Sequence, residues 1–230
     1  MGRVYLAHRA DDQFEQQVAI KVGAQRLVDP MTQARLRAER QILANLAHPN
    51  IAKLFDGGTT SEGVPYLVME YVDGIPIDAY CDANRLSVAE RLELLRTVCD
   101  AIHYAHQNLV IHRDIKAANV LVTEDGVPKL LDFGIAKLLD PGSAGEAVTR
   151  AEVRIMTPEY ASPEQLSGQP VTTATDVYGL GLLLYQLLTG TLPFDLGSRT
   201  SPEIRDIVCH TNPTLPSLAA DNAGHGGLAS

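Results

Sequence analysis

A chain of 230 residues has room for one large domain or two small lobes, and its 45% hydrophobic content is enough to build a sizeable core. With 19 basic against 28 acidic residues the net charge is −9, and no dense Lys/Arg run interrupts it, which argues against nucleic acid or an anionic membrane surface as a partner. Cys81, Cys99 and Cys209 are odd in number and far apart, so they read as reduced thiols of a cytoplasmic protein rather than a disulfide frame or a metal knot.

In chain order, the stretches Arg3 to His8 and Gln17 to Val22 alternate apolar and polar residues around Asp11-Asp12, the pattern of a two-stranded hairpin. Thr32 to Ala47 places Leu36, Leu43 and Leu46 among Arg and Glu, a one-faced helix that stops at His48-Pro49-Asn50. Two further strands are expected at Ile51 to Phe55 and Tyr66 to Tyr71, with a turn at Gly57-Gly58. After Asp73-Gly74 the character changes. Ser87 and Glu90 form a capping box, and Leu92, Leu95, Cys99 and Ile102 then fall on one helical stripe. Ser162-Pro163-Glu164-Gln165 repeats that start signal before a short helix. Asp176 to Thr189, closed by Gly190, is apolar nearly all round and reads as the central helix of a mainly helical lobe. Its apolar part, Val177 to Leu188, is interrupted by Gly179, Gly181 and Gln186 and is well short of the ~20 residues that span a bilayer. No basic-then-apolar signal segment opens the chain, and no internal repeat appears. From Ser198 the sequence thins into small and polar residues, and 211–230 is expected to be a disordered tail.

The chemistry concentrates in the run His112-Arg113-Asp114-Ile115-Lys116-Ala117-Ala118-Asn119 and in Asp132-Phe133-Gly134. Two acids, a lysine and a carboxamide at these intervals are the parts needed to orient a hydroxyl nucleophile and to hold magnesium on a triphosphate. Asp114 is the candidate base, Lys116 the charge that neutralises a transferring phosphoryl group, and Asn119 and Asp132 are hard oxygen ligands suited to Mg2+. His112 reads as a packing residue. His103 and His106 have the spacing of some metal pairs, but no third ligand follows, so both read as core or surface residues. Lys21 in Val18-Ala19-Ile20-Lys21 and Glu39 on the first helix would, standing alone, be a strand lysine and a surface glutamate.

Taken together these segments resemble the protein kinase family, and the phrasing YLVMEYVDG at 66–74 and TPEYASPEQ at 157–165 resembles its bacterial, eukaryotic-like serine/threonine branch. The resemblance implies an α+β, two-lobed fold. Residues 1–72 would form a small ATP-binding lobe of antiparallel sheet plus one helix, and 73–210 a larger helical lobe for catalysis and substrate. It implies ATP and Mg2+ as cofactors, protein serine or threonine hydroxyls as substrate, and the cytoplasm as location; it leaves oligomeric state open. Lys21 would contact the α- and β-phosphates, held by Glu39. Met69, Glu70 and Val72 would form the hinge that meets adenine, Ala19 and Leu121 would sandwich the ring, and Gly2 and Val4 would remain from a glycine-rich loop. Thr157 would bridge Asp114 and Lys116, and Lys116 supports Ser/Thr over Tyr. Thr149 is the first candidate for regulatory phosphorylation, since a phosphate there could pair with Arg113; Ser143 is the rival.

Measured against the family pattern, the first strand, the earlier glycines and the late helices are expected to be missing, making this an incomplete catalytic domain with little activity of its own. Glu164 is expected to lack its usual arginine partner, Ser162 stands in place of alanine, and Met156 stands where glycine is common. The alternative is a non-catalytic kinase-like binding module.

Overall fold

The computed structural model describes residues 3–10, 15–24, 30–133, 158–197 and 199–222. Strands β1 (Arg3–His8) and β2 (Gln17–Val22) pair antiparallel at the expected bounds, and β3 (Leu54–Thr59) and β4 (Pro65–Glu70) complete a sheet of order β1-β2-β4-β3. Helix α1 (Pro30–Ala44) packs on β3, with Leu36 buried and Leu43 against Leu67. Gly57-Gly58 is not a turn but lies inside β3. A Cβ on Gly57 would come 2.8 Å from Leu67 Cδ2, and one on Gly58 2.6 Å from Tyr66 Cζ, so close cross-strand packing is what excludes side chains there. The reversal comes later, where Thr60 N–H donates to Val64 C=O at 2.8 Å and Gly63 takes φ +82°.

Ile51, expected to begin a strand, instead makes an isolated parallel bridge with Leu130. The segment after α1 is thereby fastened to the larger part of the molecule. Leu130 N–H donates to Asn50 C=O (2.8 Å), Ala52 N–H to Leu130 C=O (3.0 Å) and Asn50 Nδ2 to Pro128 C=O (2.8 Å). The His48 and Tyr104 rings lie 5.1 Å apart, and Ala47 N–H donates to the Tyr104 hydroxyl.

That larger part holds a small sheet of order β5-β6-β7 (Gly74–Pro76, Val120–Thr123, Pro128–Leu130) and helices α2 (Ile77–Ala83), α3 (Val88–Gln107), α4 (Pro163–Ser167), α5 (Thr173–Thr189), α6 (Ser201–His210) and α7 (Pro216–Asn222). The Ser87–Glu90 capping box starts α3 as expected. Its buried stripe is offset from the expected one: Arg91, Leu95, Val98, Ile102 and Ala105 face the core, Cys99 is half-buried, and Leu92 is exposed. A buried arginine survives there because every arm of its fork is spent. Nε donates to Leu86 C=O (3.0 Å), Nη1 to Leu187 C=O (2.9 Å) and Nη2 to Asp82 Oδ1 (2.9 Å) and Cys81 C=O (3.4 Å). Beside it Cys81 is buried, and that burial pushes its thiol up to about 11, so it stays protonated.

Helix α5 is capped by Thr172 and ended by Gly190 at φ +73°. Leu183 and Leu187 join the α3 core, but Val177 is 63% exposed and a Cβ on Gly181 would meet open space. These two, four positions apart, share one outward face, so the helix is not covered all round. Part of 211–230 is ordered: α7 packs on α5, beginning at a proline that suits a first helical turn. No helix among the described residues is long and apolar enough to cross a membrane.

Arg91→Met should lower the unfolding free energy by about 2–4 kcal/mol, because it leaves buried carbonyls unpaired. Arg91→Lys should recover less than half of that, since an ammonium cannot reproduce the fork. Urea denaturation of the three proteins measures both.

Candidate active site

The connection from α3 to β6 carries His112 to Asn119, and α5 holds it from behind. Asp176, 1% exposed, accepts from His112 N–H at Oδ2 and from Arg113 N–H at Oδ1, both at 2.8 Å, and His106 Nε2 lies 2.7 Å from Oδ2. Those donors satisfy both oxygens of a carboxylate that water barely reaches. The bonds hold Arg113 at φ +70°, a left-handed conformation that costs a non-glycine residue roughly 1–2 kcal/mol. Neither Asp176 nor His106 was singled out for this site from the sequence. A carboxylate in an otherwise apolar helix is the signal that was available.

One residue past the reversal, Asp114 Oδ2 lies 2.8 Å from Lys116 Nζ. A single 3-10 turn, Ala117–Asn119, then brings Asn119 back beneath it. Asn119 Nδ2 donates to Asp114 C=O (2.7 Å) and to Asp114 Oδ2 (2.9 Å). Both amide hydrogens are thus used on Asp114, and the carboxamide oxygen is the part of Asn119 left to face something else.

The second loop follows β7 and is tied to the first. Leu131 N–H donates to Asn119 C=O, His112 Nε2–H donates to Leu131 C=O, both at 2.8 Å, and the Phe133 and His112 rings lie 4.7 Å apart. Asp114 N–H donates to His112 Nδ1, so the imidazole is the neutral Nε2–H tautomer. His112, expected as a packing residue, is therefore also a hydrogen-bonded strut between the loops. Asp132 sits at φ +58°, and its Oδ2 is 2.8 Å from Lys21 Nζ. Lys21 thus reaches Asp132 rather than Glu39. Glu39 is exposed and lines a cavity of about 120 Å³ between α1 and the segment before His112, together with Ile42, Leu43, Leu109 and Phe133.

Register assembles the cleft. Val4 pairs with Lys21 and Lys21 with Leu67, while Leu6 pairs with Ala19 and Ala19 with Met69, so Val4, Ala19, Lys21 and Met69 share one face of the sheet. Beyond β4 the chain leaves the sheet for Tyr71 to Asp73, which include Val72, and re-enters structure at β5. Glu70 accepts from Lys129 Nζ (2.7 Å) and Lys53 N–H (3.1 Å), staking the start of that link to β7. Leu121 lies half-buried on β6. Gly2, Ser143, Thr149, Met156 and Thr157 lie outside the described residues. Glu164 is not left alone: it accepts the Thr175 hydroxyl, because the first turn of α5 lies beside α4.

The chain matches the protein kinase domain family over residues 1–219. It is 41% identical over 199 residues to a probable serine/threonine-protein kinase of Streptomyces coelicolor, covering 84% of this chain and 29% of that protein. It is 37% identical over 234 residues to serine/threonine-protein kinase PknB of Mycobacterium tuberculosis (100% of this chain, 36% of that one). Against serine/threonine-protein kinase PrkC of Bacillus subtilis it is 37% identical over 224 residues, 94% of this chain and 34% of the relative. It spans about a third of the length of these curated relatives.

Burial holds His112 below the ordinary histidine value, outweighing the attraction of Asp176 and the bond to Leu131. The unfolded chain therefore takes up this proton first as pH falls. The contribution of His112 to stability should be flat above about pH 7 and lost below about pH 6.5, at up to roughly 1.4 kcal/mol per unit. Urea midpoints between pH 8 and 5.5 should show that slope, and His112→Phe should reduce it even though it lowers stability throughout.

Proposed function

The chain belongs to the protein kinase family, and from that premise we propose that it transfers the γ-phosphoryl group of ATP to serine or threonine hydroxyls of proteins. The observation that supports this most is the contact set Asp114, Lys116 and Asn119, with Asp132 tied to the same loop through Leu131. In this reading Asp114 accepts the hydrogen bond of the incoming hydroxyl and takes its proton as the oxygen–phosphorus bond forms and the bond to the β–γ bridging oxygen breaks, releasing ADP. Lys116, beside that carboxylate, offsets charge on the passing phosphoryl group, and the family resemblance would give Thr157 the role of bridging the two. The donor chemistry suits magnesium: Asp132 offers a carboxylate and Asn119 the oxygen that Asp114 leaves free. When bound, the metal neutralises charge on the phosphate oxygens.

Lys21 has its counter-charge on Asp132, so phosphate can take over the lysine while a metal takes over the acid, with little net change in charge. Glu39 would then receive Lys21. Adenine would lie between Ala19 and Leu121 against Met69, Glu70 and Val72, with Gly2 and Val4 over the phosphates. Arg113 Nε is buried without a partner among the described residues, which supports a phosphate on Thr149 or Ser143 as its mate. The free cysteines support a reducing, cytoplasmic setting, and the relatives named support a bacterial one. A second reading, a non-catalytic binding module, draws on the Lys21–Asp132 pair, which keeps both groups from nucleotide until it opens.

Asp114→Asn should keep Mg-ATP affinity while phosphoryl transfer falls about 10²-fold or more, and Asp132→Asn should weaken nucleotide binding as well. Calorimetry with Mg-ATP alongside transfer to a Ser/Thr protein separates the roles; near wild-type turnover for Asp114→Asn would sink the assignment. Mass spectrometry after incubation with Mg-ATP should find phosphate at Thr149 or Ser143. An active preparation unmodified at both would refute that pairing.

A further inference from the structure

We propose that Gln165 is a positioning residue for the base: it couples the Pro158–Ser162 segment, where a peptide substrate would lie, to the loop bearing Asp114. The proposal rests on the kinase reading above. Three capping boxes occur in the described chain. Those at Ser87 and Thr200 use an acid, Glu90 and Glu203, on the exposed surface. The third, at Ser162, uses an amide, and it is buried: Gln165 is 5% exposed and Ser162 1%. A glutamate would serve the cap equally well, since the box asks only for an acceptor.

The second half of the amide explains the choice. Oε1 accepts Ser162 N–H at 3.0 Å while Nε2 donates to Arg113 C=O at 2.8 Å. A carboxamide offers acceptor and donor from one rigid plane at neutral pH, where the glutamates of the other two boxes offer acceptors alone. Arg113 is thus gripped at both ends of its residue, N–H by Asp176 and C=O by Gln165, with its left-handed φ between the two grips. The next residue is Asp114, so a shift of Ser162 is passed to the base through one side chain. Sub-ångström misplacement of a reacting group is enough to cost tens of fold in rate.

Gln165→Glu tests this, because it keeps the cap acceptor, removes the donor and sets a carboxylate against the Arg113 carbonyl. Gln165→Met removes both bonds at similar size, and Ser87→Ala breaks a distant capping box as a stability control. For Gln165→Glu, kcat toward a Ser/Thr peptide should fall about tenfold or more with KM for ATP within about twofold. The deficit should shrink from pH 8 to 6 as the carboxyl gains a proton and can donate again. Ser87→Ala should leave kcat unchanged. Independently of catalysis, hydrogen exchange at the His112 and Arg113 amides should quicken in both Gln165 variants and not in Ser87→Ala. If Gln165→Glu does not fold, Gln165→Met carries both the kinetic and the exchange comparison. Unchanged exchange at those amides, or a kcat loss that merely tracks the melting temperature across all variants, would overturn the proposal. A wild-type chain inert toward peptide but with the expected exchange pattern would instead overturn the kinase reading.

Discussion

The carboxylate of Asp176 is the constraint on which the rest of the site depends. It is a charge with almost no access to water, tolerable only because two consecutive backbone N–H groups and an imidazole converge on it. Those same backbone groups belong to the two residues before Asp114, so satisfying the buried charge and shaping the loop are one event. The geometry then propagates outward: His112, fixed by its main chain, reaches Leu131 and Phe133, and the second loop inherits its place from the first. Backbone conformations unfavourable for arginine and aspartate, at Arg113 and Asp132, persist because their surroundings over-determine them.

The charges around this scaffold are matched in pairs. Lys116 neutralises Asp114 and Lys21 neutralises Asp132, at equal distances of 2.8 Å. Such pairing suits a cleft in which two carboxylates would otherwise repel across linked loops, and it keeps the lysines half-buried instead of extended into solvent. Because each pair joins partly exposed groups, neither needs to be strong, and an incoming polyanion with a cation can exchange partners with both.

Much of the fold was legible because it rests on local rules. The hairpin bounds followed from strict alternation, the start of α3 from a capping box, and the end of α5 from a glycine that can adopt positive φ. The errors arose where tertiary packing overrode a local cue. Gly57-Gly58 read as a turn, yet they answer to Leu67 and Tyr66 on a neighbouring strand, contacts that no window of sequence reports. Leu92 was expected on the buried stripe and is exposed, while Arg91 beside it is buried because its guanidinium finds enough carbonyl and carboxylate partners there. At the site, residue types and spacing pointed to Asp114, Lys116, Asn119 and Asp132 as candidates, and their contacts are short-range in the chain or set by one strand pair. The Lys21 partnership was not legible, since it depends on how α1 sits relative to the sheet, and neither of two eligible acids is favoured by sequence.

The fastening of the segment after α1 gives that helix the mechanics of a lever. Its C-terminal end is bolted through Asn50, Ile51 and the His48–Tyr104 contact, so any rotation of the helix would pivot near Ala44 and carry the far end most. At 1.5 Å per residue Glu39 stands only about 7.5 Å from the pivot and Pro30 about 21 Å. A swing of about 20° would carry the first by roughly 2.6 Å and the second by roughly 7 Å, a mechanical advantage near threefold. A small displacement at the carboxylate would thus correspond to a larger one at the far end of the helix. A modest force applied to that tip has the greatest leverage on the side chain that lines the cavity.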